Sequence, residues 1–242
     1  MIKSFQTVLG FLSVFKVSAR PTGDLAQVGA AAWAFPLVGA ILGTILVIAY
    51  DVLGIFFPPF VTAIFVVALW IFLTGGLHLD GWADCWDAMA ASVSPERRND
   101  ILKDSRLGTF GAVALVVLIG LKISTLAVEN FSQTMLFLAP VIGRSMMVIV
   151  SYKVQCSNAG MAESFVSSLD KNSVITASVI GIGGSLLLAG FFGLAVITCA
   201  YIGSLCFKRL AESRLTLFNG DVIGSICEFS EVLVLLIGCA KW

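Results

Sequence analysis

Seven apolar runs, each close to the length that crosses a bilayer, constrain the fold of this chain more than any other feature. A transmembrane helix needs about 20 consecutive, mostly apolar residues. Only 12% of the residues are charged, whereas soluble domains average about 25%. We therefore predict an all-α, polytopic helical membrane protein with roughly six to seven transmembrane helices in a single domain, residues 1–242. The predicted spans cover residues 29–50, 58–77, 109–128, 134–150, 173–189, 190–207 and 222–240.

Two segments need separate interpretation. The stretch 173–207 is too long for one upright helix, and Gly190 is suited to a turn between two spans; a single long tilted helix is the alternative. Residues 1–19 have an apolar middle that Lys16 interrupts, and they lack a small-residue cleavage site. They predict an N-terminal interfacial helix rather than a removed signal peptide. Four glycines are expected to let helices pack closely: Gly39, Gly43, Gly181 and Gly184.

The distribution of charge orients the predicted spans. The loops 16–28, 78–108, 151–172 and 208–221 would all lie on one face and would be cytoplasmic, because basic residues favour that side. They contain Lys16, Arg20, Arg97, Arg98, Lys103, Arg106, Lys153, Lys171, Lys208, Arg209 and Arg214. The opposite face carries Asp51, Glu129 and Lys241. The net charge of zero gives no general attraction to nucleic acid.

An acidic cluster in the loop 78–108 is the first candidate site. Asp80, Asp84 and Asp87 stand at positions i, i+4 and i+7, so on a helix they share one face. Adjacent carboxylates repel each other, and a bound divalent cation removes that cost. Oxygen ligands favour Mg²⁺, Mn²⁺ or Ca²⁺. The alternative is a solvated helix whose acids face water, but Trp82 and Trp86 between the acids indicate the edge of the membrane.

Basic residues supply a second candidate group. Lys103 and Arg106 precede the span 109–128, and cations beside small residues at a helix start are typical of a phosphate site. Arg144 lies inside an apolar run, where a cation needs an anion, either a protein carboxylate or a ligand phosphate. Lys122 also lies within a span and is given no role, since its long side chain can snorkel.

A second acidic group begins the last span. Helical spacing places Asp221 and Glu228 near one face, with Glu231 at its flank. The two glutamates either pair with Arg144 and Lys122 or line the same polar cavity as the first cluster, and both arrangements can hold together.

These parts favour Mg²⁺-dependent chemistry on a phosphoanhydride, in which a metal neutralises phosphate oxygens and an aspartate accepts a proton. Aspartates at i and i+4 also suit a CDP-alcohol-type membrane phosphotransferase. A cation-coupled transporter is a third class, and it would explain the intramembrane glutamates.

Four segments together make the chain resemble the cobalamin-5'-phosphate synthase family, the adenosylcobinamide-GDP ribazoletransferases. They are residues 75–87, which read GGLHLDGWADCWD, residues 103–111, which read KDSRLGTFG, residues 35–39, and residues 219–224 followed by Glu228 and Glu231. The resemblance covers nearly the whole chain in the expected order.

The resemblance implies a reaction in which a ribose hydroxyl of α-ribazole, or of its 5'-phosphate, attacks the phosphorus attached to cobinamide and GMP leaves. It also implies a Mg²⁺ requirement and a bacterial inner-membrane location with the site facing the cytoplasm. Membrane lipid is an expected partner, and a homo-oligomer or a complex with other cobalamin-assembly enzymes is a further hypothesis. Asp80, Asp84 and Asp87 would be metal ligands, and Asp104 a ligand or, like Asp84, a catalytic residue. The substrate-binding candidates are Lys103, Arg106, Arg144, Asp221 and Glu228.

The chain departs from the family pattern at three places. Ala88 replaces a glycine after the third aspartate. Trp82 and Trp86 replace smaller or aliphatic residues and would narrow or flatten the pocket. Residues 16–21 follow the family's Pro-rich turn only loosely. None of these changes removes a carboxylate.

Overall fold

The computed structural model describes residues 1–15, 24–104, 106–129, 131–156, 161–215 and 218–240. The segment 16–23, which includes Lys16 and Arg20, lies outside the described residues, as do Ser105 and Lys241. Regular structure in the described ranges is helical, apart from a backbone bridge between Cys156 and Phe218. The helices are α1 (Ile2–Leu12), α2 (Leu25–Ala30), a 3₁₀ turn (Ala32–Ala34), α3 (Phe35–Phe56), α4 (Pro59–Thr74), α5 (Leu77–Ala90), α6 (Pro95–Ile101), α7 (Thr109–Leu126), α8 (Gln133–Ser151), α9 (Met161–Ser167), α10 (Lys171–Arg214) and α11 (Gly220–Cys239). The prediction of an all-α membrane fold is confirmed.

Five of the described helices are long and apolar enough to cross a membrane, or six if α4 and α5 form one broken span. The longest of them, α10, reverses direction at Gly190, whose φ of 58° and ψ of −143° are not helical. Gly181 faces Ile197 across the two halves of α10, which therefore run antiparallel. The predicted division of 173–207 at Gly190 is confirmed, and the longest helix contributes two spans.

Helix α8 forms the centre of the bundle, where it packs against α3, α10 and α11. Gly39 and Gly43 on α3 lie directly against the carbonyl oxygens of Pro140 and Phe137 on α8, so a Cβ at either position would overlap backbone. The predicted close packing is confirmed there and at Gly181. It is wrong for Gly184, which has open space around it.

The loops predicted to share one face do meet at one end of the bundle. Arg98 donates a hydrogen bond to the carbonyl of Arg214 at 3.1 Å, and the Cys156–Phe218 bridge joins the segment after α8 to the segment before α11. Helix α2 packs against α9 through Gly29. The predicted loop 78–108 lies at this end and consists mostly of α5 and α6.

Candidate active site

Helix α5 carries the acidic cluster, and two glycines set its direction. Gly75 and Gly76 have φ values of 63° and 71°, a left-handed conformation that glycine adopts without a steric cost. As a result α5 runs at 93° to α4 and packs between α7 and α11. The bend keeps the acidic helix at the end of the bundle instead of extending α4.

The three aspartates of α5 differ in exposure. Asp80 is exposed, Asp84 is half-buried and Asp87 is buried. Asp84 is subject to electrostatic repulsion from Asp221, Asp80 and Asp87, with Asp221 the largest of the three. The predicted helix is present, and one of the carboxylates that repel Asp84 belongs to Asp221 on α11.

Asp87 holds the start of α7. Its two carboxylate oxygens accept the backbone N–H groups of Gly108 at 2.7 Å and Gly111 at 2.8 Å. A Cβ at either glycine would overlap that carboxylate, so the glycines of the 103–111 motif permit the contact. Each Asp87 oxygen thus satisfies an N–H group that a helix start leaves without an intrahelical partner, and a role for Asp87 as a metal ligand stays a prediction.

Asp221 reaches the cluster because α5 and α11 cross at a glycine. A Cβ on Gly81 would lie 2.9 Å from the Cα of Asp221, and the Ser225 hydroxyl donates a hydrogen bond to the Gly81 carbonyl at 3.0 Å. The Asn219 side chain caps α11 by accepting the N–H of Val222 at 3.0 Å. The structure therefore brings Asp221, one of the substrate-binding candidates from the sequence, beside the first acidic group.

A cavity of about 370 Å³ lies at this crossing. One wall is polar and contains Asp80, Asp221 and His78, whereas the other is apolar and comes largely from α1, α2, α3 and α9. Phe35 and Phe165 stack in the apolar wall with ring centroids 5.6 Å apart. The sequence reasoning did not find this apolar wall.

Trp82 and Trp86 do not narrow this cavity, in contrast to the expectation from the sequence. The Trp82 indole donates a hydrogen bond to the Ala114 carbonyl at 3.1 Å and stacks on Phe207. Trp86 packs edge-on against Trp82. Trp82 therefore joins α5 to α7 and α10.

The carboxylates of Asp80, Asp84 and Asp221 are chemically suited to bind a hard cation. Their oxygens repel one another, and such donors suit Mg²⁺ or Mn²⁺. In the described part of the chain no three potential ligands converge to hold a metal as the side chains stand. Asp80 is exposed and Asp84 half-buried, and exposed side chains change rotamer within nanoseconds.

In the basic motif after α6, residues 103–106, the arginine forms a salt bridge with the aspartate of the same motif. Arg106 donates hydrogen bonds to both oxygens of Asp104, at 2.9 and 2.7 Å, and these hold the pKa of the Asp104 carboxyl at about 2. A carboxylate with so low a pKa is a weak base at neutral pH. Asp100 forms an exposed pair with Arg97 at 3.4 Å.

Arg144 and Glu228 belong to a buried ionic network and not to the cavity wall. Lys122 lies 2.7 Å from Glu228 and 2.6 Å from Glu231, and Arg144 pairs with the other oxygen of Glu231. Pairing of the two glutamates with Arg144 and Lys122, one of the two arrangements that the sequence left open, is therefore present. Lys122 does not snorkel, since it is buried over the Trp70 ring.

His78 lies between this network and the cavity. It is 2% exposed, and neither ring nitrogen has a partner among the described residues. Since leaving a buried polar group unpaired is costly, these nitrogens are available to a bound molecule.

Replacing Gly81 by alanine is expected to lower kcat/KM about 10²-fold, because the new Cβ would push α5 away from Asp221, and a displacement of about 1 Å in a reacting group can cost that much. Gly54→Ala is the matched control, since nothing lies within 4 Å of its Cβ position. Equal activity of both variants in a steady-state assay would show that the Gly81 contact is not required.

Comparison with known proteins covers the chain almost completely. The family model described as cobalamin-5-phosphate synthase matches residues 4–239. Proteins named adenosylcobinamide-GDP ribazoletransferase are similar to it. The one from Syntrophobacter fumaroxidans is 32% identical over 241 residues, 97% of each chain. The one from Acetivibrio thermocellus is 30% identical over 98% of this chain and 97% of its own. The one from Escherichia coli is 29% identical over 98% and 99%. No solved structure matches.

Proposed function

Since this chain belongs to the cobalamin-5-phosphate synthase family and is a membrane-embedded ribazoletransferase of cobalamin synthesis, we propose that it works by metal-dependent phosphoryl transfer in the cavity between α5 and α11. Its substrates are then adenosylcobinamide-GDP and α-ribazole or α-ribazole 5'-phosphate. The observation that carries the proposal is the position of Asp80 and Asp221 in the polar wall of a cavity of about 370 Å³, with Asp84 close enough to be repelled by both.

Asp80, Asp84 and Asp221 would hold the metal, for which Mg²⁺ is the proposed ion. When bound, such an ion neutralises the charge on a diphosphate and on its leaving group. Asp87 supports the site indirectly by fixing the start of α7 against α5.

In the proposed step a ribose hydroxyl oxygen of ribazole forms a bond to the phosphorus attached to cobinamide. The bond between that phosphorus and the bridging oxygen breaks, and GMP leaves with this oxygen. The hydroxyl proton passes to a carboxylate. Asp84 is the proposed acceptor, because the Arg106 side chain holds the pKa of Asp104 at about 2, which makes Asp104 a weak base.

The apolar wall and His78 suit the remaining part of the nucleoside. Ribazole carries a planar, weakly polar base, and such a base packs favourably against aromatic side chains such as Phe165. The unpartnered nitrogens of His78 offer hydrogen bonds to the ribose. We propose that the site faces the cytoplasm of a bacterial inner membrane, since the basic loops lie at this end.

Release of GMP tests the function. Purified protein in detergent, given adenosylcobinamide-GDP, α-ribazole and Mg²⁺, is expected to release GMP in step with cobalamin formation, and chelation of the metal is expected to stop both. Readdition of Mg²⁺ or Mn²⁺ is expected to restore activity. Release of CMP from a CDP-lipid instead, or cation-dependent solute uptake by vesicles without GMP release, would overturn the proposal.

A further inference from the structure

A second cleft, of about 400 Å³, lies beside the acidic cavity where the ends of α8 and α10 meet the segment before α11. Lys153 and Lys208 line it together with Gln155, Phe218 and one carboxylate, that of Glu212. Its volume is within the range of small-molecule sites, about 300–1,000 Å³. Neither lysine has a role in the site described above.

The backbone of Lys153 is unusual. Its φ of 57° makes it the one non-glycine residue with positive φ in the described part of the chain. Such a conformation persists only where the surroundings impose it, and it is common at ligand clamps. The Lys153 ammonium forms no ion pair with a described residue and lies 5.4 Å from the centre of the Tyr152 ring. Its charge is therefore free for a ligand.

The side chain of Lys208 has more contacts than that of Lys153. The Lys208 side chain is 19% exposed, and its ammonium lies 3.7 Å from Glu212 and 3.5 Å from the Val150 carbonyl. It also lies 5.6 Å from the centre of the Phe218 ring. A lysine ammonium has three donors, and these two long contacts leave it able to bind an anion.

The cleft lined by Lys153 and Lys208 (the lysine cleft) and the cavity lined by Asp80 and Asp221 (the acidic cavity) are joined by the short segment 218–221. Phe218 lines the cleft, whereas Gly220 and Asp221 line the cavity. The bridge between Cys156 and Phe218 ties this segment to the residues after α8. A molecule that extends from one space into the other would pass Asn219, which caps α11.

Apart from the proposed metal ion, the acidic cavity offers the substrate no cation, because no lysine or arginine is among the described residues that line it. A diphosphate is repelled by carboxylates, and two of the three candidate cations from the sequence are engaged elsewhere: Arg144 is buried against Glu231, and Arg106 is paired with Asp104. The third, Lys103, is exposed in the segment after α6 and does not line the cavity. Resting on the proposed function, we propose that Lys153 and Lys208 form a nucleoside-phosphate subsite, which binds the phosphate of the GMP half of the activated substrate. Lysine binds phosphate well as a point charge.

Substitutions of the two lysines test this subsite. Lys153→Gln and Lys208→Gln are each expected to raise the KM for adenosylcobinamide-GDP and the inhibition constant of GMP about tenfold, while the KM for α-ribazole stays within twofold. Lys→Arg at either position is expected to recover most of the loss. Lys171→Gln is the control, because Lys171 is exposed and lies outside the cleft. Unchanged GMP inhibition in both glutamine variants would overturn the subsite.

Direct binding separates this inference from the proposed function. Calorimetric titration of the purified wild type with GMP is expected to show saturable binding that either glutamine variant weakens about tenfold. A wild type that binds GMP in this way but releases none from the substrate would overturn the proposed function and leave the subsite standing. The final comparison measures the KM for adenosylcobinamide-GDP of the wild type and the glutamine variants in vesicles of phosphatidylcholine, with and without phosphatidylglycerol. A rise in this KM that occurs only in the anionic vesicles would show that the lysines bind a lipid headgroup, and it would overturn the nucleotide subsite.

Discussion

Asparagine in place of Asp84 is expected to lower kcat about 10³-fold, because the variant loses both a metal-binding oxygen and the proposed proton acceptor. The side chain keeps its size, and the change removes one negative charge from carboxylates that repel one another. The folded protein is therefore expected to keep its thermal midpoint. Steady-state release of GMP, together with a thermal unfolding curve in detergent, measures both effects.

Asp100→Asn is the matched control for this substitution. Asp100 forms a pair with Arg97 in which both side chains are more than 60% exposed, and such surface pairs contribute little to stability. Its activity is expected to stay within twofold of the wild type. Near-normal turnover by the Asp84 variant would exclude Asp84 as an essential group. A collapse of its thermal midpoint would instead show that the residue is structural.

The part of the site that depends on a single helix was predictable from the sequence. The i, i+4, i+7 spacing of Asp80, Asp84 and Asp87 places them along one side of α5, since helical geometry alone determines that arc. Asp221 was assigned to the site through the family resemblance, and its contact with α5 at Gly81 depends on how the two helices cross. Gly190 was identified because 173–207 exceeds the length of one crossing.

The parts that depend on how helices meet were not predictable in this way. A helical arc does not say which neighbour covers it, and so the hydrogen bonds of Asp87 to the start of α7 were not predicted. The role of Asp87 as a third metal ligand stays a prediction. Gly75 and Gly76 carried a signal for the sharp bend, because two consecutive glycines are suited to left-handed turns. The apolar wall of the cavity joins side chains from α1, α3 and α9, and no local pattern connects them.

Replacement of Glu231 by glutamine is expected to cause the largest loss of stability among single substitutions in the buried ionic network. Glu231 is completely buried, and it pairs with both Lys122 and Arg144. Arg144 has no other carboxylate partner among the described residues, and its Nε and Nη2 atoms are unpaired there. Removing one member of a buried ion pair costs about 3–5 kcal/mol, because the other charge is left without compensation. The thermal midpoint of the detergent-purified protein measures this loss.

Comparing Glu228→Gln with Glu231→Gln shows whether the loss of stability comes from removing the counterion of Arg144 or from removing any buried negative charge. Both substitutions remove one charge, but Lys122 keeps Glu231 at 2.6 Å when Glu228 is changed, so about 1–3 kcal/mol is expected. The double variant Arg144→Met with Glu231→Gln removes one charge of each sign, and it should be more stable than Glu231→Gln alone. Equal midpoints for the two single glutamine variants, or a double variant less stable than both of its parents, would contradict this assignment. The network would then contribute to the bundle through packing, and the charge of Arg144 would have to be neutralised by a group other than Glu231.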